Sequence, residues 1–374
     1  MVLDHGLARA LRLTDEPGRP EEVAVAKRSL SRFEVGALVL EPVSPVLTFD
    51  GGVMARTTDR PVLGLFGPRL LPDRVLLVDY RRKLWAAIPP RLAVQSAAGK
   101  DAQDGRAGNV SQRGRISTSR ASLGPLLTDS SAAVPFRLVA DGKILVSGRI
   151  ADPEPPRFSR DLTLVLDTGA TVCGFDRRVF QARVRSSASW LWVPELSVST
   201  LYGVKHGGAT VLPAIELLGG TGSTTCRGVY AMVTDDELLP EMDESMGEPV
   251  HGLLGYSYLR NFRLLVDYAN QVLWLDRAPA DPLETPFGLT SVGLQIARLK
   301  GALRVSGIAP GSAAAEQAIA LGDELVAIED APVRELSVLD ARSRLDGPAG
   351  TTVSVVLRRG SMDRAYRLAR RKLL

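Results

Sequence analysis

The residue best placed for chemistry is a carboxylate in a tight turn. Asp167 follows the apolar run Leu162–Leu166 and opens the segment Asp167-Thr168-Gly169-Ala170. Burying an acid at the end of an apolar strand is costly unless its charge is used or hydrogen-bonded, so this position favours a functional role. Gly169 allows a sharp turn and a close approach to another segment, and the Thr168 hydroxyl can bond to a neighbouring loop. We interpret Asp167, Thr168 and Gly169 as a catalytic turn that performs general acid–base chemistry.

The scarcity of other reactive side chains narrows the chemistry. The 374 residues include three histidines and two cysteines, Cys173 and Cys226. These numbers exclude a Cys₄ zinc site and disfavour a His-rich one. Neither a Gly-x-Ser-x-Gly elbow nor a P-loop is present, so we expect no cofactor and no metal. The two cysteines either form a disulfide or remain buried thiols, and His251 is expected to be structural.

The charge balance argues against a nucleic-acid partner. Lys and Arg number 46 and Asp and Glu 42, which leaves a net charge of +4 without a basic run. Aromatic residues make up only 5% of the chain, so a platform for stacking bases is not expected. No apolar run reaches the ~18 residues of a membrane span. We therefore expect neither a nucleic-acid partner nor a membrane span.

A single carboxylate cannot act as general acid and general base at the same time. Two carboxylates about 3 Å apart share one proton, because both cannot ionise. In such a pair the ionised acid can activate a water, and the protonated acid can polarise a substrate carbonyl. The pKa values of such a dyad belong to the pair. Asp167 therefore needs a partner carboxylate from another lobe or another subunit.

The elements that must position Asp167 fall into four segments. Residues 132–277 contain short Val, Leu and Ile runs separated by Gly, Asp and Pro, which indicates a mostly β domain. Residues 1–95 are apolar with frequent turn residues. Residues 96–131 are rich in Gly, Ser, Ala, Gln and Arg and are interpreted as a linker or a long insertion. Residues 283–371 form a last domain.

An internal repeat links residues 1–95 with residues 132–277. The sequence that begins at Gly64 matches the sequence that begins at Gly252 through the run Leu-Leu-Val-Asp-Tyr, at an offset of 188 residues (267 − 79). A one-residue gap then aligns the two Leu-Trp pairs. We interpret the two segments as copies of one unit and expect Asp79 and Asp267 to begin hairpin turns rather than to form a second dyad.

The first copy lacks an Asp-Thr-Gly of its own in the printed sequence. Aligning Asp4 with Asp176, at an offset of 172, places the equivalent of Asp167 just before Met1. We therefore expect an Asp-Thr/Ser-Gly upstream, together with an export signal that would direct the protein to the periplasm or cell envelope. The alternative is a true start with a degenerate first lobe. Asp4-His5-Gly6 imitates Asp-Thr-Gly but begins a helical run, so we do not expect a catalytic loop there.

Residues 132–277 resemble one lobe of the retropepsin-type aspartic peptidases. The resemblance rests on the turn at 167–170 and on Leu253-Leu254-Gly255, the apolar-apolar-Gly segment that passes behind the catalytic loop in that family. It implies that the Gly-rich segment 201–209 is a flap that closes over substrate. Substrate contacts are then expected from Ala170, Tyr202 and Gly203.

Residues 287–360 resemble a bacterial PDZ domain. The resemblance rests on the run Val292–Ile296, on Pro310-Gly311-Ser312-Ala313 and on Leu321-Gly322-Asp323-Glu324. It implies that a peptide strand adds to an edge strand and packs against a helix over 337–345. The peptide-binding residues are then Gly293, Leu294 and Ile296, with the terminal carboxylate received near the Gly293 amide.

These observations predict a mainly β protein with two retropepsin-like β-barrel lobes, the first truncated at its N-terminus, and a C-terminal PDZ domain. The predicted activity is that of an aspartic endopeptidase acting on protein or peptide substrates that the PDZ domain recruits. Two alternatives remain open: an inactive peptidase-like scaffold that binds peptides through its PDZ groove, and a homodimer that pairs two second lobes.

Overall fold

A computed structural model of the chain describes the residues in the following ranges: 2–13, 24–25, 30, 32–35, 38–40, 46–49, 51, 62, 64–65, 67, 71, 74–88, 112–139, 142–152, 157–158, 161–177, 192–200, 203–234, 246–277 and 290–373. The protein is mainly β, as predicted, with a closed barrel and a separate C-terminal sheet. Within the described ranges, no helix has both the length and the apolar character needed to cross a membrane.

The first copy contributes eight short strands and one helix. These are β1 (Val2–Asp4), α1 (His5–Ala10), β2 (Ala24–Val25), β3 (Phe33–Val35), β4 (Leu38–Leu40), β5 (Leu47–Phe49), β6 (Gly64–Leu65), β7 (Val75–Asp79) and β8 (Leu84–Ile88). Four of the strands form a sheet in the order β2-β5-β1-β6. The second copy follows helix α2 (Gln112–Leu123), a short 3₁₀ turn (Gly124–Leu126) and strand β9 (Ala132–Pro135).

The second copy is a closed barrel. Its strands are β10 (Arg137–Leu138), β11 (Ile144–Asp152), β12 (Arg157–Phe158), β13 (Leu162–Leu166), β14 (Cys173–Asp176), β15 (Trp192–Thr200), β16 (Gly203–Leu217), β17 (Cys226–Thr234) and β18 (Gly252–Leu254). The order β11-β13-β18-β14-β17-β16 returns to β11, because β11 also pairs with β16. Aliphatic strands such as β13 suit this arrangement, and their side chains fill the barrel together with Phe175 and Tyr258.

The two copies share strand order and register. Phe175 of β14 pairs with Gly252 of β18, and Leu3 of β1 pairs with Gly64 of β6. These pairs are equivalent at the predicted offsets of 172 and 188. Asp4 ends β1 as Asp176 ends β14, and His5 starts α1. Asp4 therefore corresponds to Asp176, as aligned from the sequence, and Asp4-His5-Gly6 is not the equivalent of the Asp167 turn.

The copies meet in a five-stranded sheet. Helix α3 (Tyr256–Leu259) leads into β19 (Phe262–Asp267) and β20 (Val272–Arg277), and the sheet order is β8-β7-β19-β20-β9. Leu77 pairs with Leu265, its own equivalent at the 188-residue offset. Because equivalent residues face each other in antiparallel strands, the two hairpins are related by a local pseudo-two-fold axis.

The hairpin register corrects one part of the sequence alignment. Asp79 pairs with Leu84 and Asp267 pairs with Val272, so both hairpins have equal loops and no gap is needed. Trp85 is consequently equivalent to Leu273 and not to Trp274. A shift of one residue along a strand moves a side chain to the opposite face of the sheet.

Part of the predicted linker is a packed helix. Within the segment 96–131, helix α2 lies against the five-stranded sheet and buries Ser119 and Leu123. The Ser119 hydroxyl donates to Asp267 Oδ2 at 2.6 Å and accepts from Trp274 Nε1 at 2.8 Å. The helix shows little apolar periodicity because one of its two buried residues is a serine and most of its other residues are polar.

The C-terminal domain has its own sheets and its own core. Its elements are β21 (Thr290–Ser291), β22 (Leu294–Leu299), β23 (Ala302–Ile308), β24 (Glu324–Ile328), β25 (Ala331–Pro332), a 3₁₀ turn (Val333–Glu335), α4 (Val338–Leu345), β26 (Thr352–Arg359), β27 (Met362–Ala369) and β28 (Arg371–Lys372). The main sheet runs β22-β23-β24-β26-β27 and has its own apolar core. Ser337 caps α4 by accepting from the Asp340 backbone N–H at 3.0 Å.

Candidate functional site

The Asp167 turn lies at the end of β13 and is held by backbone hydrogen bonds. The Asp167 N–H donates to the Leu254 carbonyl at 3.0 Å, which continues the parallel pairing of β13 with β18. The Gly169 N–H donates to Asp167 Oδ1 at 2.8 Å. The side chain is half-buried, so the turn orients a carboxylate that remains partly accessible.

Gly255 allows the supporting segment to pass directly behind this turn. A Cβ atom at Gly255 would lie 2.1 Å from the Val172 carbonyl oxygen, too close for any other residue. The next residue, Tyr256, donates its N–H to the Ala170 carbonyl at 2.8 Å. The sequence motif Leu253-Leu254-Gly255 therefore does support the turn, as the resemblance implied.

Two other residues of the turn have simple environments. Thr168 is exposed, and among the described residues its hydroxyl makes no hydrogen bond, so the predicted bond to a neighbouring loop is not observed. Ala170 is half-buried and contributes its backbone carbonyl to the contact with Tyr256. Their roles toward a substrate stay predictions.

A tyrosine from the first copy lies beside this turn and was missed by the sequence analysis. The Tyr80 ring packs edge-on against Tyr256, with ring centroids 5.0 Å apart. Its hydroxyl is buried and finds no hydrogen-bond partner among the described residues. Burial raises the pKa of Tyr80, and the charge of Asp167 and then Tyr256 raise it further. The run Val-Asp-Tyr of the repeat contains Tyr80, but only the pairing of β7 with β19 brings it to the second copy.

The proposed flap segment forms a hairpin. Strand β15 pairs with β16 from Trp192 to Thr200, and Thr200 faces Gly203 at the tip of the hairpin. Gly203 is thus the first residue of β16, whereas Tyr202 lies outside the described residues. The hairpin itself is confirmed, and its role as a flap stays a prediction.

The remaining reactive side chains of the barrel are structural. Cys173 and Cys226 are both buried and both free. Burial raises the pKa of the Cys173 thiol and raises that of Cys226 to about 11. His251 accepts a hydrogen bond on Nδ1 from the Thr163 N–H at 3.0 Å and so holds β13 in place, as expected of a structural histidine.

A second candidate site is the groove between β22 and α4. Among the described strands β22 has one neighbour, β23, so its other edge is open. The side chains of Leu294 and Ile296 are buried beneath this edge. Gly293 precedes it with φ +88°, and a Cβ there would lie 2.1 Å from the Ser312 side chain. The Gly293 N–H is 3.3 Å from Ser291 Oγ, to which it donates.

A family model matches residues 279–358, and its description is "PDZ domain". This part of the chain is a PDZ domain. The match confirms the sequence prediction for this segment, and the open β22 edge beside α4 agrees with strand addition as the mode of peptide binding.

Structure comparisons return partial similarities. The photosystem II D1 C-terminal processing protease is 33% identical over 23% of this chain, with a TM-score of 0.22, and the chain spans only 24% of its length. A retropepsin-like aspartic protease from Rickettsia conorii is 14% identical, covers 39% of this chain and 89% of its own, and has a TM-score of 0.26. The aspartic proteinase from Irpex lacteus is 16% identical over 40% of this chain and 48% of its own, with a TM-score of 0.25. A search of curated proteins finds no match.

The PDZ domain packs on the barrel at the base of the β15–β16 hairpin. Ala309 of the PDZ domain joins a buried cluster with Val193, Leu196 and Met232 of the barrel. The Ala309 N–H also donates to the Gly293 carbonyl at 2.8 Å. Ala309 therefore connects Gly293, which precedes the open edge of the PDZ groove, to the base of the hairpin.

Proposed function

We propose that the chain is an aspartic endopeptidase whose PDZ domain recruits protein or peptide substrates. Asp167 is one carboxylate of a dyad that shares a single proton. The ionised acid removes a proton from a trapped water, which attacks the scissile carbonyl, while the protonated acid donates to the carbonyl oxygen. The acid that took the water proton then gives it to the leaving amine as the C–N bond breaks, and the other acid recovers its proton from the collapsing diol.

The geometry of the Asp167 turn carries this proposal. The Asp167 carboxylate follows a barrel strand, accepts from the Gly169 N–H and sits on a backbone bonded to Leu254, so it is fixed in direction and still partly exposed. Gly255 brings the backbone of a second segment against the turn. Such rigid support is what a catalytic acid needs, because small displacements of reacting groups are costly to the rate.

The position of the PDZ domain supports the recruitment part of the proposal. Its groove lies next to Gly293, and Ala309 connects this region to the hairpin that we interpret as the flap. A peptide bound in the groove is thereby held close to the barrel, which raises the effective concentration of its other segments at Asp167.

The test compares Asp167→Asn with Asp161→Asn on unfolded casein and on a peptide library, with the fragments identified by mass spectrometry. Asp161 is exposed and lies at the opposite end of β13, so it controls for loss of one charge. We expect Asp167→Asn to reduce cleavage by about a thousandfold or more and Asp161→Asn to leave it unchanged. Equal cleavage by wild type and Asp167→Asn would overturn the proposal.

The same assay identifies the source of the second carboxylate. The printed chain and a chain extended through the natural upstream codons are compared over a range of protein concentrations. If the rate with the printed chain rises with the square of its concentration, two copies of the chain form the active site as a homodimer. Activity confined to the extended chain points to an upstream Asp-Thr/Ser-Gly. Absence of cleavage in both, with peptide binding retained, would favour the scaffold alternative over the enzyme.

Ala170 bears on the pH dependence of this activity. In pepsin-like relatives a Ser at the equivalent position often stabilises the carboxylate by a hydrogen bond, and Ala has no hydroxyl to donate. We expect the activity optimum to lie above that of pepsin. A maximum below about pH 3 would contradict this expectation.

A further inference from the structure

An arginine from α4 reaches across the PDZ groove to the open edge of β22. Arg342 donates from Nη2 to the Ile296 carbonyl at 3.1 Å. Ile296 pairs on its other side with Val305 of β23. The Ile296 carbonyl is one of the edge groups to which an added peptide strand would bond. Arg342 therefore occupies a position that the backbone N–H of a bound peptide would need.

Arg342 is a partly desolvated cation. Its side chain is half-buried, and burial lowers its pKa, an effect that the charge of Asp346 opposes. Asp346 is itself engaged by a hydrogen bond with the Ser291 side chain. Asp346 acts on Arg342 through its charge alone, because no hydrogen bond joins the two side chains in the part of the chain that the structure describes. A charge withdrawn from water in this way gains from a carboxylate partner.

A second arginine adds to the positive character of the groove. Arg298, on β22, donates from Nη2 to the carbonyl of Leu336, the residue before the α4 cap, at 3.2 Å. Both guanidinium groups thus lie between β22 and the α4 segment. A ligand with an acidic side chain is favoured there over a neutral or basic one.

The strand register identifies which residue of a ligand meets Arg342. A peptide whose C-terminus lies at Gly293 and Leu294 runs antiparallel to β22, so its last residue faces Leu294. Its third residue from the end then faces Ile296. Side chains two residues apart point to the same face of a strand. Ile296 packs in one buried core with Ala341 and Leu345 of α4. Because directly opposite residues of adjacent strands share a face, the third residue from the end points toward α4.

We propose that Arg342 makes this PDZ groove selective for peptides with Asp or Glu at the third position from a free C-terminus. The guanidinium leaves the Ile296 carbonyl and pairs with the ligand carboxylate, and the freed carbonyl accepts the N–H of the same ligand residue. The inference rests on the proposed peptide recruitment and names the class of peptide that is recruited.

The test measures binding to the full chain in the Asp167→Asn background, so that no peptide is cleaved. Two fluorescein-labelled decapeptide pools end in Val and carry either Glu or Gln at the third position from the end, with the other positions randomised. We expect the Glu pool to bind at least about tenfold more tightly by fluorescence anisotropy, as for one charge-assisted hydrogen bond. High salt should reduce the ratio.

Variants of two arginines on the same helix assign the effect. Arg342→Gln should bring the Glu-to-Gln affinity ratio close to one and leave binding of the Gln pool equal or tighter, because the Ile296 carbonyl is no longer occupied. Arg344→Gln removes the same charge from the exposed face of α4 and should leave the ratio unchanged. Arg342→Lys should keep a reduced preference for Glu, and it replaces Arg342→Gln as the test variant if the latter does not fold.

The outcomes separate this inference from the proposed function. Equal affinity of the two pools for the wild-type groove overturns the selectivity and leaves peptide recruitment standing. A preference for Glu that persists in Arg342→Gln overturns the assignment to Arg342. Binding of neither pool overturns peptide recruitment and the selectivity with it.

Discussion

The two hairpins of the repeat share the sequence Leu-Leu-Val-Asp-Tyr but differ in what covers them. Asp267 of the second copy is buried and accepts hydrogen bonds from the Ser119 hydroxyl and the Asn270 amide. Asp79 of the first copy is half-buried and accepts from the backbone N–H groups of Arg81 and Arg82, and its carboxylate also lies 3.7 Å from the exposed Arg82 side chain. Both acids begin a turn, as predicted, and only Asp267 also anchors a helix.

The tryptophans of the two hairpins show the same contrast. Trp274 is completely buried under α2, with the Arg120 guanidinium 4.8 Å from its ring centre. Trp85 is 46% exposed and lies on the opposite face of the sheet, near its edge. The difference teaches that a repeated sequence reproduces its local turns, whereas the energetic importance of its side chains depends on the element packed over them.

The largest expected difference between the copies is in stability. Trp274→Ala should lower the free energy of unfolding by about 3–5 kcal/mol, because it removes a fully buried ring and leaves a cavity. Trp85→Ala should cost less than about 1 kcal/mol, as is usual for exposed positions. Urea unfolding followed by circular dichroism measures both. Equal costs for the two substitutions would break the comparison.

A smaller effect is expected at the helix that distinguishes the copies. Ser119→Ala leaves the Asp267 carboxylate and the Trp274 indole N–H without their partner, which should cost about 1–3 kcal/mol. Ser117→Ala, at an exposed position of the same helix, should have little effect and is the matched control. If the two variants unfold at the same urea concentration, α2 does not stabilise the second hairpin in the way described.

Tyr80 and Tyr268 are equivalent in the two copies, and a substitution at Tyr80 is expected to raise the free energy of unfolding rather than lower it. Tyr80 has a buried hydroxyl without a partner among the described residues, whereas Tyr268 packs its ring against Phe136 at a centroid distance of 6.3 Å. Tyr80→Phe removes an unsatisfied group and should stabilise the fold by up to about 1 kcal/mol. Tyr80→Leu loses the ring contact with Tyr256 and should destabilise it. A destabilising Tyr80→Phe would show that the hydroxyl has a bonding partner in solution.

The smallest expected effect is a pH dependence within the second copy. The hydrogen bonds from Arg137 at 2.5 and 2.7 Å lower the pKa of Glu248 in the folded protein. Because the folded pKa lies below the unfolded value, the pair stabilises at pH values above the ordinary Glu range and its contribution is lost as the pH falls through the folded pKa. For so exposed a pair we expect at most about 0.5 kcal/mol.

The measurement is the urea midpoint between pH 7 and pH 3 for wild type and Glu248→Gln. The two curves should differ at pH 7 and converge in acid, and added salt should reduce the difference at pH 7. A gap between the curves that stays constant down to pH 3 would show that Glu248 acts through packing rather than through its charge.

Some features of the molecule were predictable from the residues because their causes are local. The Asp167 turn follows from an apolar strand interrupted by Asp and Gly, and the turns at Asp79 and Asp267 follow from their hydrogen bonds to neighbouring backbone N–H groups. The PDZ domain was recognisable because its loop glycines and apolar periodicity are spread over one contiguous segment. The repeat was visible because both copies retain the same turn and strand residues.

Other features depend on contacts between segments far apart in sequence. Helix α2 lacks apolar periodicity, and its place follows from Ser119 meeting Asp267 and Trp274 about 150 positions away. Matching the two Leu-Trp pairs in the sequence aligns Trp85 with Trp274. Only the pairing of β7 with β8 shows that Trp85 lies on the opposite face of the five-stranded sheet. Tyr80 and Arg342 have ordinary sequence surroundings. Their importance comes from the long-range packing that buries one hydroxyl near Asp167 and aims one guanidinium at the Ile296 carbonyl, and such packing leaves no periodic trace in the sequence.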